Sequence, residues 1–175
     1  MRVPGWRWDN VPLPEQHLVA LGAATLADVI LPLRVPIHRG SARLAGGAVL
    51  AAGISLAAWA VTSASRAGVG LDHPTDLVTA GAFGVARNPM YQGWTLAIIG
   101  LGIAARSPWM LTAAVIATAA AHRAILDEEM AMSRQFGEEY EAYRGRTPRY
   151  VGSAEAVARV RRMIRGRSVI DGGDR

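Results

Sequence analysis

The sequence predicts an all-α integral membrane protein: a bundle of about four transmembrane helices with a cytoplasmic C-terminal helical segment. Of the 175 residues, 51% are hydrophobic and only 19% are charged. The stretch Leu44–Ser65 contains 22 residues without a charge. A soluble helix of that length shows a polar face with a period of 3.6 residues, and here a few hydroxyl side chains are the only polar groups. The pattern therefore favours helices surrounded by lipid over a soluble bundle.

Four apolar runs follow one another along the chain. They cover residues 18–33, 44–65, 88–105 and 107–126. A spanning helix needs about 20 mostly apolar residues, so two runs qualify comfortably and two are marginal. Glycine and alanine in the second run are typical of close contacts between membrane helices. Trp59, Trp94 and Trp109 lie near the ends of runs, where interfacial anchors occur.

After the last run the chain becomes polar. Apolar residues recur at helical spacing over residues 127–146, and Gly137 interrupts them, which predicts a helix, a turn and a short second helix. Ser153 is positioned to cap a further basic helix through Gly166, which is typical of a helix on an anionic membrane surface. A solvated charged tail explains the same residues equally well. We therefore divide the chain into a membrane domain, residues 1–150, and a basic amphipathic tail, residues 151–175.

Composition excludes several kinds of site. All 19 basic residues are Arg and there is no Cys, which excludes disulfide scaffolds, zinc–thiolate sites and thiol nucleophiles. We expect no metal, because His122 is the one imidazole near the acids 127–129 and its spacing from them is unusual for ligands. We also expect no nucleic acid partner. The net charge of +5 arises from residues 144–175, which contain nine Arg and three acidic residues. This segment lacks the interleaved aromatic residues that are typical of nucleic-acid-binding arms.

The arginine-rich tail also predicts the orientation. Positive residues favour the cytoplasmic side, so the C-terminus is expected there, and four spans place the N-terminus on the same side. A chain rich in Ala, Gly and Arg and without Lys suggests a bacterial source. The expected location is therefore a bacterial inner membrane, with both termini cytoplasmic.

Two polar spots interrupt the apolar background. The first is the segment 87–91, where Pro89 fits the first turn of a helix and free N–H groups there can bind a carboxylate. The second is the acidic triplet 127–129 at the foot of the last run. An ordinary helix start and solvated interface charges explain these residues about as well. One helical hairpin separates the two spots, so four spans bring them to the same membrane face and predict a polar pocket at the rim of an apolar bundle.

Five short motifs occur in a characteristic order. They are Leu-Val-Thr-Ala-Gly at 77–81, Arg-Asn-Pro-Met-Tyr-Gln-Gly at 87–93, Glu-Glu at 128–129, Phe-Gly-Glu-Glu-Tyr-Glu-Ala-Tyr at 136–143 and Pro-Arg-Tyr at 148–150. In this order they resemble the isoprenylcysteine carboxyl methyltransferase and phospholipid methyltransferase superfamily, from about Leu44 to Tyr150. The resemblance implies an integral membrane enzyme that uses S-adenosylmethionine and a lipophilic or lipid substrate.

The resemblance also implies roles for individual residues. The implied cofactor contacts are Leu77, Val78, Phe83, Asn88, Pro89, Met90, Tyr91 and Glu128. The implied catalytic residues are Arg123, which would position a carboxylate acceptor, and Glu129 or His122, which would take a proton from an amine acceptor. The chain departs from the family pattern at Asn88, where His is commoner, at Phe83, where Tyr is usual, and at Ala124, where the eukaryotic branch has a substrate-associated Arg.

Two other functions remain compatible with the pattern. Membrane reductases of the sterol-reductase kind share a similar C-terminal pattern and bind NADPH, although no Arg cluster lies between Asn88 and Glu129 to hold the extra phosphate. The third candidate is a membrane protein that keeps the fold as a non-enzymatic binding factor. The intact motif at 87–91 favours an enzyme over this third candidate.

Overall fold

The computed structural model of the protein describes residues 15–69 and 76–152. These residues form six α-helices and contain no strand, as the all-helical prediction requires. The helices are α1 (Glu15–Ile30), α2 (Arg39–Arg66), α3 (Ala82–Val85), α4 (Pro89–Ala105), α5 (Pro108–Phe136) and α6 (Glu138–Arg146). The predicted helix 153–166 lies outside the described residues, as does nearly all of the tail 151–175.

Four of the helices coincide with the four apolar runs. The helices α2 and α5, of 28 and 29 residues, are long and apolar enough to cross a membrane. The helices α1 and α4 have 16 and 17 residues, fewer than the usual length of about 20. The structure thus confirms the all-helical prediction and supports two membrane spans by length and composition. The short helix α3 was not expected, because its four residues are too few for a periodic pattern.

The most extensive contact in the bundle joins α2 and α4. A Cβ atom placed at Gly53 of α2 would lie 2.6 Å from both the Ala97 nitrogen and the Gly93 oxygen of α4. A Cβ atom at Gly93 would likewise lie 2.7 Å from the Ala57 nitrogen. The two backbones touch, as expected for small residues at a membrane helix interface.

The helices α4 and α5 form an antiparallel hairpin. The turn between them is tight: Arg106 adopts a left-handed conformation with φ of 56°, and the Ser107 hydroxyl caps α5 by accepting from the Met110 nitrogen at 3.1 Å. At this end Trp109 donates from Nε1 to the Leu31 carbonyl at 2.8 Å, which ties α5 to the end of α1. The start of α4 and the polar end of α5 therefore meet at the opposite end of the bundle, which we call the rim.

Beyond its apolar part, residues 108–126, α5 continues to Phe136 and ends at Gly137, whose positive φ of 53° suits glycine. The short helix α6 follows at once, which confirms the predicted helix, turn and second helix. Its Tyr143 is buried and donates to the Phe83 carbonyl at 2.8 Å. Helix α6 is thereby tied back to α3.

After α6 the chain returns to the start of α4. The Arg87 nitrogen donates to the Pro148 carbonyl at 2.9 Å, and the Asn88 nitrogen donates to the Arg149 carbonyl at 3.3 Å. We call residues 147–151 the strap. The strap places the Pro-Arg-Tyr motif directly beside the Arg-Asn-Pro motif.

Candidate active site

The centre of the rim is the carboxylate of Glu129. Arg87 donates from Nε and Nη2 to its two oxygens, both at 3.1 Å. Arg149 donates from Nε and Nη2 at 3.0 and 2.8 Å. Asn88 adds a bond from Nδ2 at 3.2 Å, and the Glu129 residue is only 7% exposed. We call Glu129, Arg87, Asn88 and Arg149 the Glu129 cluster; its two bidentate arginine–carboxylate pairs are the strong, directional kind of ion pair.

These contacts fix the charge of Glu129. Burial raises the pKa of its carboxyl, but the hydrogen bonds and charges of Arg149 and Arg87 outweigh burial and lower the pKa to about 2. The group is thus an ion at neutral pH, with five hydrogen bonds already accepted. A carboxylate of this kind is a poor proton acceptor.

Arg87 also reaches the strap. Its Nη1 donates to the Thr147 carbonyl at 2.6 Å and to the Arg144 carbonyl at 3.4 Å. The Arg87 side chain is only 6% exposed. One guanidinium therefore joins the start of α4, the polar end of α5, the end of α6 and the strap.

Glu128 lies one residue away in a different setting. Its Oε1 accepts from the Tyr91 hydroxyl at 2.6 Å, and no arginine pairs with it within residues 15–69 and 76–152. Burial raises the pKa of Glu128, the Tyr91 hydrogen bond lowers it, and the charge of Glu129 raises it, with a net increase. Glu128 and Tyr91 thus form a second pair at the rim whose carboxylate keeps an oxygen for a ligand.

Two further contacts hold the strap over the rim. The Gln92 side chain donates to the Val151 carbonyl at 3.3 Å and accepts from the Val151 nitrogen at 2.8 Å. The His122 Nδ1 lies 2.7 Å from the Tyr150 hydroxyl. The strap is therefore held by a side chain of α4, Gln92, and by a side chain of α5, His122.

The apolar residues of the predicted cofactor set lie before α3, in α3 and at the start of α4. Phe83 packs against a buried cluster that contains Met90 and Ala82, together with Ala60 and Val61 of α2. Pro89 is buried at the first position of α4, as predicted. The remaining two predicted residues, Leu77 and Val78, are partly buried in the non-helical segment before α3.

Arg123 is not part of the Tyr91–Glu128 pair. It is exposed and lines an open groove of about 770 Å³ between α5 and the end of α6. Glu129 and Arg149 of the Glu129 cluster also line this groove, as do Arg134 and Arg144. The structure therefore brings Asn88 together with Glu129, and Tyr91 with Glu128, and it places Arg123 on a groove that borders the Glu129 cluster.

Sequence reasoning missed Arg87 and Arg149 as site residues. Both residues belong to sequence motifs, at 87–93 and at 148–150. The signal that could have identified them is that a buried carboxylate needs cationic partners. His17 of α1 is also buried, at 2% exposed, with its Nε2 at 3.0 Å from the Thr95 hydroxyl of α4. No local pattern in the sequence marked this contact between α1 and α4, because the two residues are 78 positions apart.

A comparison with protein families places these residues in context. The model of the phospholipid methyltransferase family matches residues 42–139, more than half of the chain. The match includes the Arg-Asn-Pro-Met-Tyr segment and the Glu128–Glu129 pair, and it ends before the strap. No curated protein and no solved structure matches the chain significantly.

The family implies methyltransferase activity and, together with two long apolar helices, indicates an integral membrane protein. The Tyr91–Glu128 pair, the pairing of Arg87 and Asn88 with Glu129, and the α2–α4 interface lie within the matched range, whereas Arg149 lies beyond it. The chain therefore belongs to the phospholipid methyltransferase family.

Proposed function

We propose that this protein transfers a methyl group from S-adenosylmethionine to a phospholipid-type acceptor at the membrane–cytoplasm boundary. The observation that carries the proposal is the Tyr91–Glu128 pair, with its 2.6 Å hydrogen bond, held beside the Glu129 cluster at the rim of an apolar bundle. Family membership supports the type of reaction, and the rim supplies a place where a polar cofactor and a lipid can meet.

The residues at the rim fit this cofactor chemically. The Glu128 oxygen can accept from ribose hydroxyls or from an amino group, and the Tyr91 ring offers the kind of face that attracts a cation such as a sulfonium. The buried cluster around Phe83 and Met90 supplies an apolar surface beneath them. When bound, S-adenosylmethionine supplies an activated methyl group to the acceptor.

The chain's own contribution is orientation and exclusion of water. The Glu129 cluster fixes the start of α4 relative to α5, so that Tyr91 and Glu128 keep one geometry. The strap covers this end of the bundle through Gln92 and Arg87. We assign Glu129, Arg87 and Arg149 as positioning residues, and Tyr91 and Glu128 as cofactor-binding residues.

An amine acceptor must lose a proton during methylation, and we propose that His122 takes it. A neutral imidazole nitrogen of His122 can accept a proton, whereas the Glu129 carboxylate, with a pKa of about 2, is a poor proton acceptor. The hydrogen bond between His122 Nδ1 and the Tyr150 hydroxyl fixes the ring. Because His122 contacts the strap that covers the rim, whereas Arg123 lies exposed on the groove, we propose an amine acceptor rather than a carboxylate that Arg123 would position.

We further propose that α1 and α4 cross the bilayer beside α5 and α2, with both termini in the cytoplasm of a bacterium. The exposed side chains Val19, Val29 and Val115 give α1 and α5 apolar outer surfaces suited to lipid. Backbone contact along α2 keeps α4 aligned, in the antiparallel direction, with a helix that is long enough to span.

The test is calorimetric titration of the detergent-purified protein with S-adenosylhomocysteine, with NADPH titrated in parallel. We expect saturable binding of S-adenosylhomocysteine only, and loss of that binding in Glu128→Gln. The matched control is Glu139→Gln, which removes the same charge from an exposed position of α6. Binding of NADPH alone would identify a reductase, and binding of neither by folded protein would identify a non-enzymatic member of the family.

A further inference from the structure

The groove between α5 and the end of α6 is lined by neither Tyr91 nor Glu128. Its α5 residues form two adjacent rows on the helix, with Arg123, Asp127, Met130 and Arg134 in one row and Leu126, Glu129 and Ser133 in the other. At 100° per residue, Glu128 points about 140° away from Arg123 around the helix axis. A ligand held by Arg123 and Arg134 therefore lies on a different face of α5 from Glu128, although Glu129 of the Glu129 cluster also lines the groove.

The groove is positively charged. Four arginines line it, against the carboxylates of Asp127 and Glu129. Arg149 is paired with Glu129 at 2.8 Å, and Arg144 lies 3.4 Å from Glu141. Arg123 and Arg134 form no ion pair within residues 15–69 and 76–152. Two guanidinium groups are thus available for an anion, and guanidinium matches the geometry of phosphate oxygens.

The position of the groove indicates which anion it meets. The apolar part of α5 ends at Leu126, and the groove extends along α5 from Arg123 to Arg134, on either side of this level, where we expect the headgroups of a bilayer. Leu126 and Met130 also line it and are 36% and 51% exposed, which adds apolar surface beside the arginines. Apolar side chains beside free cations, at headgroup depth, match a lipid with a phosphate headgroup better than a free solute.

We propose that this groove binds the phosphate headgroup of an anionic bilayer lipid, which holds the polar end of α5 at the membrane surface. Cytoplasmic leaflets carry anionic lipids that attract basic segments close to a membrane helix. The lipid is distinct from the methyl acceptor, so the proposal does not depend on the proposed reaction. It also gives Arg123 a role in binding lipid.

The test measures lipid binding directly. Protein in a neutral detergent is titrated calorimetrically with short-chain phosphatidylglycerol, short-chain phosphatidylcholine and inorganic phosphate. We expect saturable binding of phosphatidylglycerol, weaker binding of phosphatidylcholine and no measurable binding of inorganic phosphate. The double variant Arg123→Gln/Arg134→Gln should lose about tenfold in affinity, as expected for two charged contacts, and added salt should weaken binding by the wild type.

Three controls keep the proposal falsifiable. The variant Arg39→Gln/Arg43→Gln removes two exposed arginines from the start of α2 and should bind like the wild type. The single variant Arg134→Gln, near the end of α5, guards against misfolding of the double variant. Equal affinity for the two lipids, unchanged affinity in both groove variants, or preference for inorganic phosphate would overturn the proposal. Displacement of the lipid by S-adenosylhomocysteine would also overturn it, because the groove would then belong to the cofactor site.

Discussion

The α2–α4 interface and the Glu129 cluster both bring distant segments into close contact within an apolar bundle, but they do so by opposite means. At the interface, Gly53 and Gly93 remove side chains so that two backbones touch. In the cluster, Arg87 and Arg149 extend long side chains that meet on one carboxylate. The contact between α2 and α4 therefore depends on the lack of side chains at glycine. The cluster depends on the charges of the arginine and glutamate side chains.

This contrast determines how each region fails. Added volume should damage the interface, where there is no free space, and leave the cluster intact. Removal of a charge should damage the cluster, because Arg87 and Glu129 are buried as a pair of opposite charges and Arg149 is partly buried against the same carboxylate. The expected loss of stability decreases in the order Glu129→Gln, acid pH, Gly53→Val and Tyr91→Phe.

The substitution Glu129→Gln should have the largest effect on stability. It leaves the buried guanidinium of Arg87 and the partly buried one of Arg149 without their counter-charge. Breaking a buried ion pair from one side costs about 3–5 kcal/mol. Unfolding of purified protein in mixed detergent micelles with increasing dodecyl sulfate measures this loss. The charge-matched control Glu139→Gln should change stability by less than about 0.5 kcal/mol, as exposed sites do. Equal stability of the two variants would mean that the cluster contributes nothing to the fold.

Acidification of the wild type should cause most of the loss of stability that is expected for Glu129→Gln. The pKa of Glu129 is lowered from 4.5 to about 2, so the contribution of the ionised carboxylate is full above pH 4.5 and disappears as the pH falls through 2. The shift corresponds to about 3 kcal/mol. The difference in unfolding free energy between wild type and Glu129→Gln should therefore narrow over this pH range. A difference that stays constant from pH 5 to pH 2 would contradict the ion pairing of Glu129.

The substitution Gly53→Val tests the other region. A Cβ at Gly53 would lie 2.6 Å from two backbone atoms of α4, so the helices must separate or bend. Overpacking of this kind costs about 1–3 kcal/mol, measured by the same unfolding assay. Gly47→Val is the control on the same helix, because a Cβ at Gly47 meets no atom within 4 Å. If the two valine variants were equally stable, the close approach of α2 and α4 would not exist in the membrane.

The sequence predicted the interface better than the cluster. A run of 22 uncharged residues with repeated glycine predicts both a membrane helix and a close contact with a neighbouring helix. Likewise, Gly137 marked the break between α5 and α6 because positive φ is a local requirement. Such features depend on the residue itself and its nearest neighbours in sequence.

The cluster depends on tertiary contacts that no local pattern encodes. Arg149 reaches Glu129 because the strap returns to the start of α4, through backbone bonds across about 60 positions. Glu128 and Glu129 are adjacent in sequence but differ by 100° in helix direction, and this decides which one is buried between arginines. Sequence reasoning found both acids and their neighbourhood. The distinct contacts of each acid required the packed structure.

The substitution Tyr91→Phe should have the smallest effect on stability. It removes the hydroxyl that donates to Glu128 at 2.6 Å but keeps the ring, and Glu128 stays accessible to solvent, so the expected cost is less than about 1 kcal/mol. Affinity for S-adenosylhomocysteine should nevertheless fall about tenfold, the equivalent of one charge-assisted hydrogen bond that no longer orients Glu128. Tyr143→Phe is the comparison, because its hydroxyl donates from a buried position to Phe83 and its loss should lower stability without a comparable loss of ligand affinity. A large loss of stability in Tyr91→Phe would place the Tyr91–Glu128 pair in the structural framework together with the Glu129 cluster. A small loss of stability with a clear loss of affinity separates the ligand-binding part of the rim from the part that holds it in place.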